Sequence, residues 1–429
     1  MAIDFWAALM NSTGTLSRRG WRAAAVLLAA GALVALPTAA FALDPDDDEG
    51  EPPTVIKPPE DKDLLAPETA QKVTNEATAA KVYVIPLRGE LGHDVTKDVL
   101  ERVLDDARRE EPDFLVFVVD MTFSFRGKAI GERSEEILIA WDLVGKVQEM
   151  QPTFMGIEHN PAWKKKPKVV FWVRRALGAA AFLPMVCKDI YFTPDGRLGA
   201  IGMLDKWSEG RGDPTVLEKQ RSLRLGWVNG MANQGGYSLD LVRGMARSDR
   251  PLSYDLVGGQ PVYRQDDAGT YLLQDAFKRP DTLDEIVRLA GNDILTLDAV
   301  NAKRLGVSRA DVPSLDMLMF ELGVERNYKL ITEKPKKIMV NYSLDLKKAE
   351  SDFRKIYQDY RRIQVTGQTP SDRNRIRQQQ IGQLNKMKRV VEQWKDAINP
   401  RVIQGMPADF IGDINIQIDR IKTQMRLDK

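Results

Sequence analysis

Few residues in this chain have the makings of a reactive group. The two histidines, His93 and His159, stand far apart and lack Cys, Asp or Glu at metal-ligand spacing, so they define no metal site and read as loop residues at strand or helix ends. The single cysteine, Cys187, cannot form an intramolecular disulfide, and its apolar setting before a strand makes it a small buried hydrophobe. Ser124, Ser208 and Ser222 read first as ordinary loop or surface serines. No Gly-rich phosphate loop is present. The sequence therefore points to no cofactor and no metal.

The elements that must position any site begin at residue 81. Lys81 to Leu87 reads as a strand, and Asp94 to Arg109 as an amphipathic helix with Val95, Val99, Val103 and Leu104 on one face. Phe114 to Asp120 and Val169 to Val173 are continuous apolar runs, as strands buried on both faces require. Helices are expected over 132–149 and from Gly178 to Val186, with a further strand at Ile190 to Phe192. Strands alternating with helices predict an α/β fold with a mostly parallel sheet. Residues 216–247 read as helical, and 252–273 as hairpin-like about Gly258-Gly259. Short helices are expected at Leu297 to Gly306 and Ser314 to Gly323, and a linking strand at Ile331 to Tyr342.

The two ends differ from this core. Arg18, Arg19 and Arg22 precede an apolar run, Ala23 to Leu36, that closes on Ala40-Phe41-Ala42. That is the layout of a secretory signal peptide over residues 1–42. An uncleaved N-terminal anchor is the alternative, because Ala23 to Ala42 is long enough to span a bilayer. Ser17-Arg18-Arg19 also hints at a twin-arginine signal. Residues 43–79, rich in Asp, Glu and Pro, read as a disordered linker. In the C-terminal region, three stripes repeat at heptad spacing: Ala349, Phe353, Ile356, Tyr360 and Ile363; Leu384, Met387, Val391, Trp394 and Ile398; Ile411, Ile414, Ile418, Ile421 and Met425. They predict an antiparallel helical hairpin or bundle. Lys and Arg outnumber Asp and Glu between Lys347 and Lys395, which reads as a solvated basic face. With a net charge of +1 and no interleaved aromatics, a nucleic-acid partner is not expected.

Several segments together resemble the ClpP/crotonase superfamily, closest to the SppA and NfeD-type membrane-associated serine proteases. Lys81 to Leu91 resembles the family's opening strand and its G-E/x-I turn. Ala176 to Gly202, reading ALGAAAFLPMVCKDIYFTPDGRLGAIG, resembles the nucleophile helix, the following strand and a closing IG motif. Leu295 to Val307 resembles the family's LT-x-x-x-A-x-x-x-G-x ending, and Ser314-Leu315-Asp316 continues it. The likeness covers about residues 80–325. It implies a repeated ββα (βαβ) spiral core, here with 326–429 added as a helical region.

The resemblance also implies a Ser nucleophile and a Lys general base, and the sequence departs from both. Gly178 falls where the serine belongs, with Ala179, Ala180 and Ala181 behind it. Lys219, on the helix from Val216, falls at the base position. The family's P-G-G oxyanion turn is replaced by Met121-Thr122-Phe123, whose bulk keeps a substrate off the backbone. Ser124 lies in that turn, and Ser208 and Ser222 lie beyond the helix. A Ser-His-Asp triad of the ClpP kind also fails, because both histidines precede the nucleophile helix.

The expected function is therefore an exported, non-catalytic serine-protease homologue that binds or scaffolds a peptide or protein. The fold's groove, with Met121, Thr122 and Ala179 as its lining, would hold the ligand. A homo-oligomer, membrane association through the N-terminus and a periplasmic or other extracytoplasmic location accompany this reading. The alternatives are an active Ser-Lys endopeptidase with a displaced serine and, third, a crotonase-type acyl-CoA enzyme, which export disfavours.

Overall fold

The computed structural model describes residues 73–121, 157, 161–200, 213–246, 250–276, 278–281, 285 and 291–428. The targeting segment, most of the acidic linker, the turn after Met121 and the helix expected over 132–149 lie outside them.

Four strands form the centre of a six-stranded sheet: β1 (Ala80–Gly89), β2 (Phe114–Met121), β3 (Lys168–Leu177) and β4 (Ile190–Gly199). All three pairings among them are parallel. β8 (Thr296–Asp298) adds antiparallel to β4, and β9 (Tyr328–Ile331) adds parallel to β1, giving the order β8-β4-β3-β2-β1-β9. The chain is thus a mixed α/β protein with a mostly parallel sheet.

Alternation along the strands builds two cores. Tyr83, Ile85, Leu87, Leu115, Phe117, Val119, Phe171 and Val173 pack with Val99, Leu100, Val103 and Leu104 of α1 (Lys97–Glu110). Val82, Val84, Val116, Val118, Val170 and Trp172 pack on the other face with Leu315, Leu318 and Met319 of α5 (Leu315–Glu321). Burying a side chain of this size contributes about 2 kcal/mol. Two polar groups that enter these layers are matched: Trp172 Nε1 donates to the Val312 carbonyl at 3.0 Å, and the Tyr83 hydroxyl donates to Asp106 at 2.8 Å.

Helix α1 starts at Lys97, later than the sequence pattern suggested, because the Thr96 hydroxyl caps it by accepting from the Val99 amide. Between β4 and β8 lie α2 (Pro214–Gly235), α3 (Leu239–Ala246) and a three-stranded antiparallel sheet of β5 (Leu252–Val257), β6 (Gln260–Arg264) and β7 (Tyr271–Gln274). The β5–β6 hairpin turns at Gly258 and Gly259, both at positive φ, as a tight hairpin loop demands. α4 (Ala299–Arg304) follows β8, capped by Asp298.

Two expected elements differ. Gly178 to Val186 is not one helix but two short 3₁₀ turns, Gly178–Phe182 and Pro184–Val186. Gly178 enters at φ +65°, and Pro184 lacks the amide that would continue the first turn. Ile331 to Tyr342 is not a strand. β9 ends at Ile331, and α6 (Glu333–Arg362) begins two residues later.

Helix α6 is 30 residues, about 45 Å, long. Its Met339, Tyr342 and Leu346 join the core of the sheet, whereas Phe353 joins a separate cluster. That cluster holds Ile381, Leu384, Met387 and Val391 of α7 (Pro370–Gln393). It also holds Ile403 of α8 (Pro400–Ile403) and Ile414, Ile418 and Ile421 of α9 (Pro407–Leu427). β9 and the first half of α6 therefore pack with the sheet, and the same helix runs on into the C-terminal cluster. Among the described residues no helix is long and apolar enough to cross a membrane.

Candidate functional site

The corner at the end of β3 holds Gly178, the residue that the family resemblance put at the position of a nucleophile. Leu177 is extended, and Gly178 then turns at φ +65°, a left-handed conformation that costs an L-residue about 1–2 kcal/mol. The segment behind it faces inward: Ala179 is 2% exposed, and Ala180, Ala181 and Phe182 are buried with it in the sheet's core. No side chain here can attack a carbonyl.

The segment is held by the second half of α2. Val228, Met231 and Ala232 share its core cluster. A Cβ on Gly235 would lie 2.0 Å from the Met185 carbonyl oxygen, so only glycine lets the helix end settle there. The Tyr237 hydroxyl donates to the Cys187 carbonyl at 2.6 Å. Cys187 itself is half-buried, its thiol 3.3 Å from the Val169 carbonyl it donates to.

Lys219 sits on the first half of α2 and is exposed. Nine residues, about 13 Å of helix, separate it from Val228, the first residue of α2 described as buried. Ser222, one turn further on, is exposed as well. Lys219 and Ser222 thus stand on an open helix surface flanked by Val216, which is 51% exposed. The packing that joins α2 to the Gly178 segment does not run through Lys219.

Met121, expected in the substrate-lining turn, is buried in the sheet's core, in register with Gly89 and Ala176. Thr122, Ser124, His159 and Ser208 lie outside the described residues. Among the described residues no three His, Cys, Asp or Glu side chains converge as metal ligands.

The polar cluster that the sequence did not reveal lies after β1. Gly89 turns at φ +90°, and a Cβ there would lie 2.4 Å from Asp94 Oδ2. Asp94 accepts from the Glu90 amide at 3.0 Å and from the Ser343 hydroxyl of α6. His93 Nδ1 is 3.4 Å from Asp94 Oδ2, and His93 Nε2 is 3.0 Å from Glu350 Oε1 of α6. Glu350 also accepts from the Asn399 amide at 3.0 Å.

Burial works against the imidazolium, but the Asp94 carboxylate beside it and the hydrogen bond to Glu350 prevail and raise His93 to about 9. Burial likewise opposes the Asp94 carboxylate, and the bonds from His93, Ser343 and the Glu90 amide prevail to lower it to about 2. Glu350 is lowered by the same balance: burial opposes, and His93 and the Asn399 amide win. At neutral pH His93 is a cation between two carboxylates. It has no free lone pair with which to act as a base, and it serves as a clasp between the β1–α1 turn and α6. The sequence carries no signal for it, because His93 and Glu350 are 257 positions apart.

No protein-family model matches the chain. No curated protein matches it. Solved structures of the 1510-N membrane-bound stomatin-specific protease are similar to it at low values. A Lys-to-Ala mutant in complex with a substrate peptide has 13% identity and a TM-score of 0.34, covering 62% of this chain and 99% of that one. A Ser-to-Ala mutant has 13% identity and a TM-score of 0.35, covering 59% and 97%.

Proposed function

We propose that this chain is a non-catalytic homologue of the serine proteases it resembles, holding a peptide or protein segment without cutting it. The observation that carries this reading is the corner at Gly178: a glycine at positive φ, followed by three buried alanines, where an acyl-transfer serine would have to stand. Lys219 fits it, because its amine is exposed on α2, nine residues before Val228, the first residue of that helix described as buried. An extracytoplasmic location, attachment through the N-terminus and self-association belong to the same reading and come from the sequence pattern.

A fluorophosphonate probe and unfolded fluorogenic peptides, applied to the purified chain, test it. Neither labelling nor cleavage is expected. Labelling of the wild type that disappears in Lys219→Ala would establish a Ser-Lys enzyme instead. Gly178→Ser is the companion variant: hydrolysis gained there would show a groove complete except for its nucleophile.

A further inference from the structure

Helix α6 packs on one side and is bare on the other. Met339, Tyr342, Leu346 and Phe353 recur every three, four and seven positions and turn one face to the sheet and the C-terminal cluster. At about 100° per residue, Lys337, Lys347, Lys348, Arg354, Lys355 and Arg361 fall within an arc of about 140° turned away from them. All six are exposed. Val340 and Leu344, 47% and 58% exposed, lie in the middle of that arc. The strip runs about 36 Å along the helix from Lys337 to Arg361.

Ion pairs on α6 lie off this strip. Lys334 meets Asp106 and Glu110, and Arg362 is 3.9 Å from Asp359. Among the described residues, none of the six cations on the strip makes a hydrogen bond or has a carboxylate within 4.0 Å. The helix's own carboxylates sit elsewhere. Glu333 opens its first turn, Glu350 belongs to the His93 clasp, and Asp345, Asp352 and Asp359 recur every seventh position in a row beside the arc. The cluster beneath the second half of the helix is drawn entirely from residues 353–425, all of them described.

We propose that this strip of α6 is a docking surface for an anionic lipid bilayer, on which the helix lies without crossing it. The contact is separate from the N-terminal segment and does not rest on the peptide-holding reading above. Charge complementarity requires a polyanion, because each Lys or Arg close to an anionic leaflet adds to the attraction. The shape of the strip selects a bilayer. Its cations follow one straight helix face, and a planar surface meets them all at once. Four of the six are lysines, and no hydrogen bond fixes any of the six head groups, so they act as mobile point charges and suit lipid phosphates that are themselves mobile. Val340 and Leu344 can enter the headgroup region while the lysine stems bend past them to the phosphates. A single-stranded nucleic acid would want aromatic side chains to stack its bases, and the arc carries none. A second copy docking through the same face would set like charge against like.

The full chain tests this, carrying an environment-sensitive dye on Leu344→Cys in a Cys187→Ala background. Phosphatidylcholine vesicles measure whatever the N-terminal apolar run brings to a membrane, and vesicles with about one-third phosphatidylglycerol add the charge. The dye should shift to the blue on the anionic vesicles alone, and salt on the order of 0.5 M should reverse the shift. Lys347→Glu together with Lys348→Glu should raise the lipid concentration for half the shift at least about tenfold. Arg361→Glu, at the far end of the strip, should raise it about threefold and supplies the readout if the double variant does not fold. No shift on either vesicle, an equal shift on both, or a shift that the charge reversals leave unchanged overturns the proposal. A shift on single-stranded DNA or polyglutamate as large as that on the anionic vesicles overturns the choice of a bilayer.

Discussion

Strands β1 and β3 flank β2; β1 ends at a glycine at positive φ and β3 is followed by one, yet the two turns are put to opposite uses. After Gly89 the chain folds polar groups inward, and His93 and Asp94 meet Ser343 and Glu350 of α6. After Gly178 it folds three alanines inward and presents no polar side chain. The same backbone device thus serves a charged clasp at one corner and a sealed apolar step at the other. The difference teaches that His93, among the described residues, is spent on holding α6 to the β1–α1 turn, a corner where the sequence pattern placed no site.

The sharpest way to break the comparison is Gly89→Ala. The added Cβ meets Asp94 at 2.4 Å and must sit at φ +90°, so strain adds to a disrupted clasp. A loss of about 4 kcal/mol is expected in urea unfolding, the strain alone accounting for about 1–2. His93→Ala should follow at about 3 kcal/mol, because it leaves Asp94 and Glu350 partly buried without their cation. A loss below about 0.5 kcal/mol would show that the clasp does not hold α6.

The clasp also predicts a pH profile. His93 has a folded value of about 9, above its ordinary 6.5, so its stabilisation is complete below about pH 6.5 and is lost as pH rises through 9. Asp94, lowered to about 2, contributes above its ordinary value near 4, and that share is lost as pH falls towards 2. Melting temperature in the wild type should therefore decline between pH 6.5 and 9 more steeply than in His93→Ala. Parallel profiles would remove the imidazolium from the account.

How much of this could be read from residue order follows from the range of each interaction. The apolar runs at Phe114 to Asp120 and Val169 to Val173 announce buried parallel strands, because a strand covered on both faces has to be apolar at every position. The heptad stripes announce the helices of the C-terminal cluster for the same local reason. Gly178 and the alanines after it were legible as a segment without a hydroxyl, but the positive φ and the break into two 3₁₀ turns were not. The alanines behind it favour a helix locally, and tertiary packing overrides them. The Ile331 to Tyr342 segment misleads because Ile338, Met339 and Val340 are consecutive apolar residues, read as a strand where the structure has the first turns of α6. The His93 clasp depends on pairings between distant segments, and no local pattern encodes those.

At the other corner the expected effects shrink. Gly178→Ala should cost about 1–2 kcal/mol, from backbone strain, with no polar partner lost. Lys219→Ala should change stability by less than about 0.5 kcal/mol, because the side chain is exposed on α2 away from the packed residues Val228, Met231 and Ala232. The value of that last variant is its combination with the first. A buried base poised beside a nucleophile would make Lys219→Ala alter both stability and probe labelling in the Gly178→Ser background. A solvated lysine would alter neither. A double-variant cycle of Gly178→Ser with Lys219→Ala, read by urea unfolding, should therefore be additive within about 0.5 kcal/mol. A larger interaction energy would mean that the corner at Gly178 reaches the first half of α2 after all, and the contrast between the two turns would narrow to a matter of one missing hydroxyl.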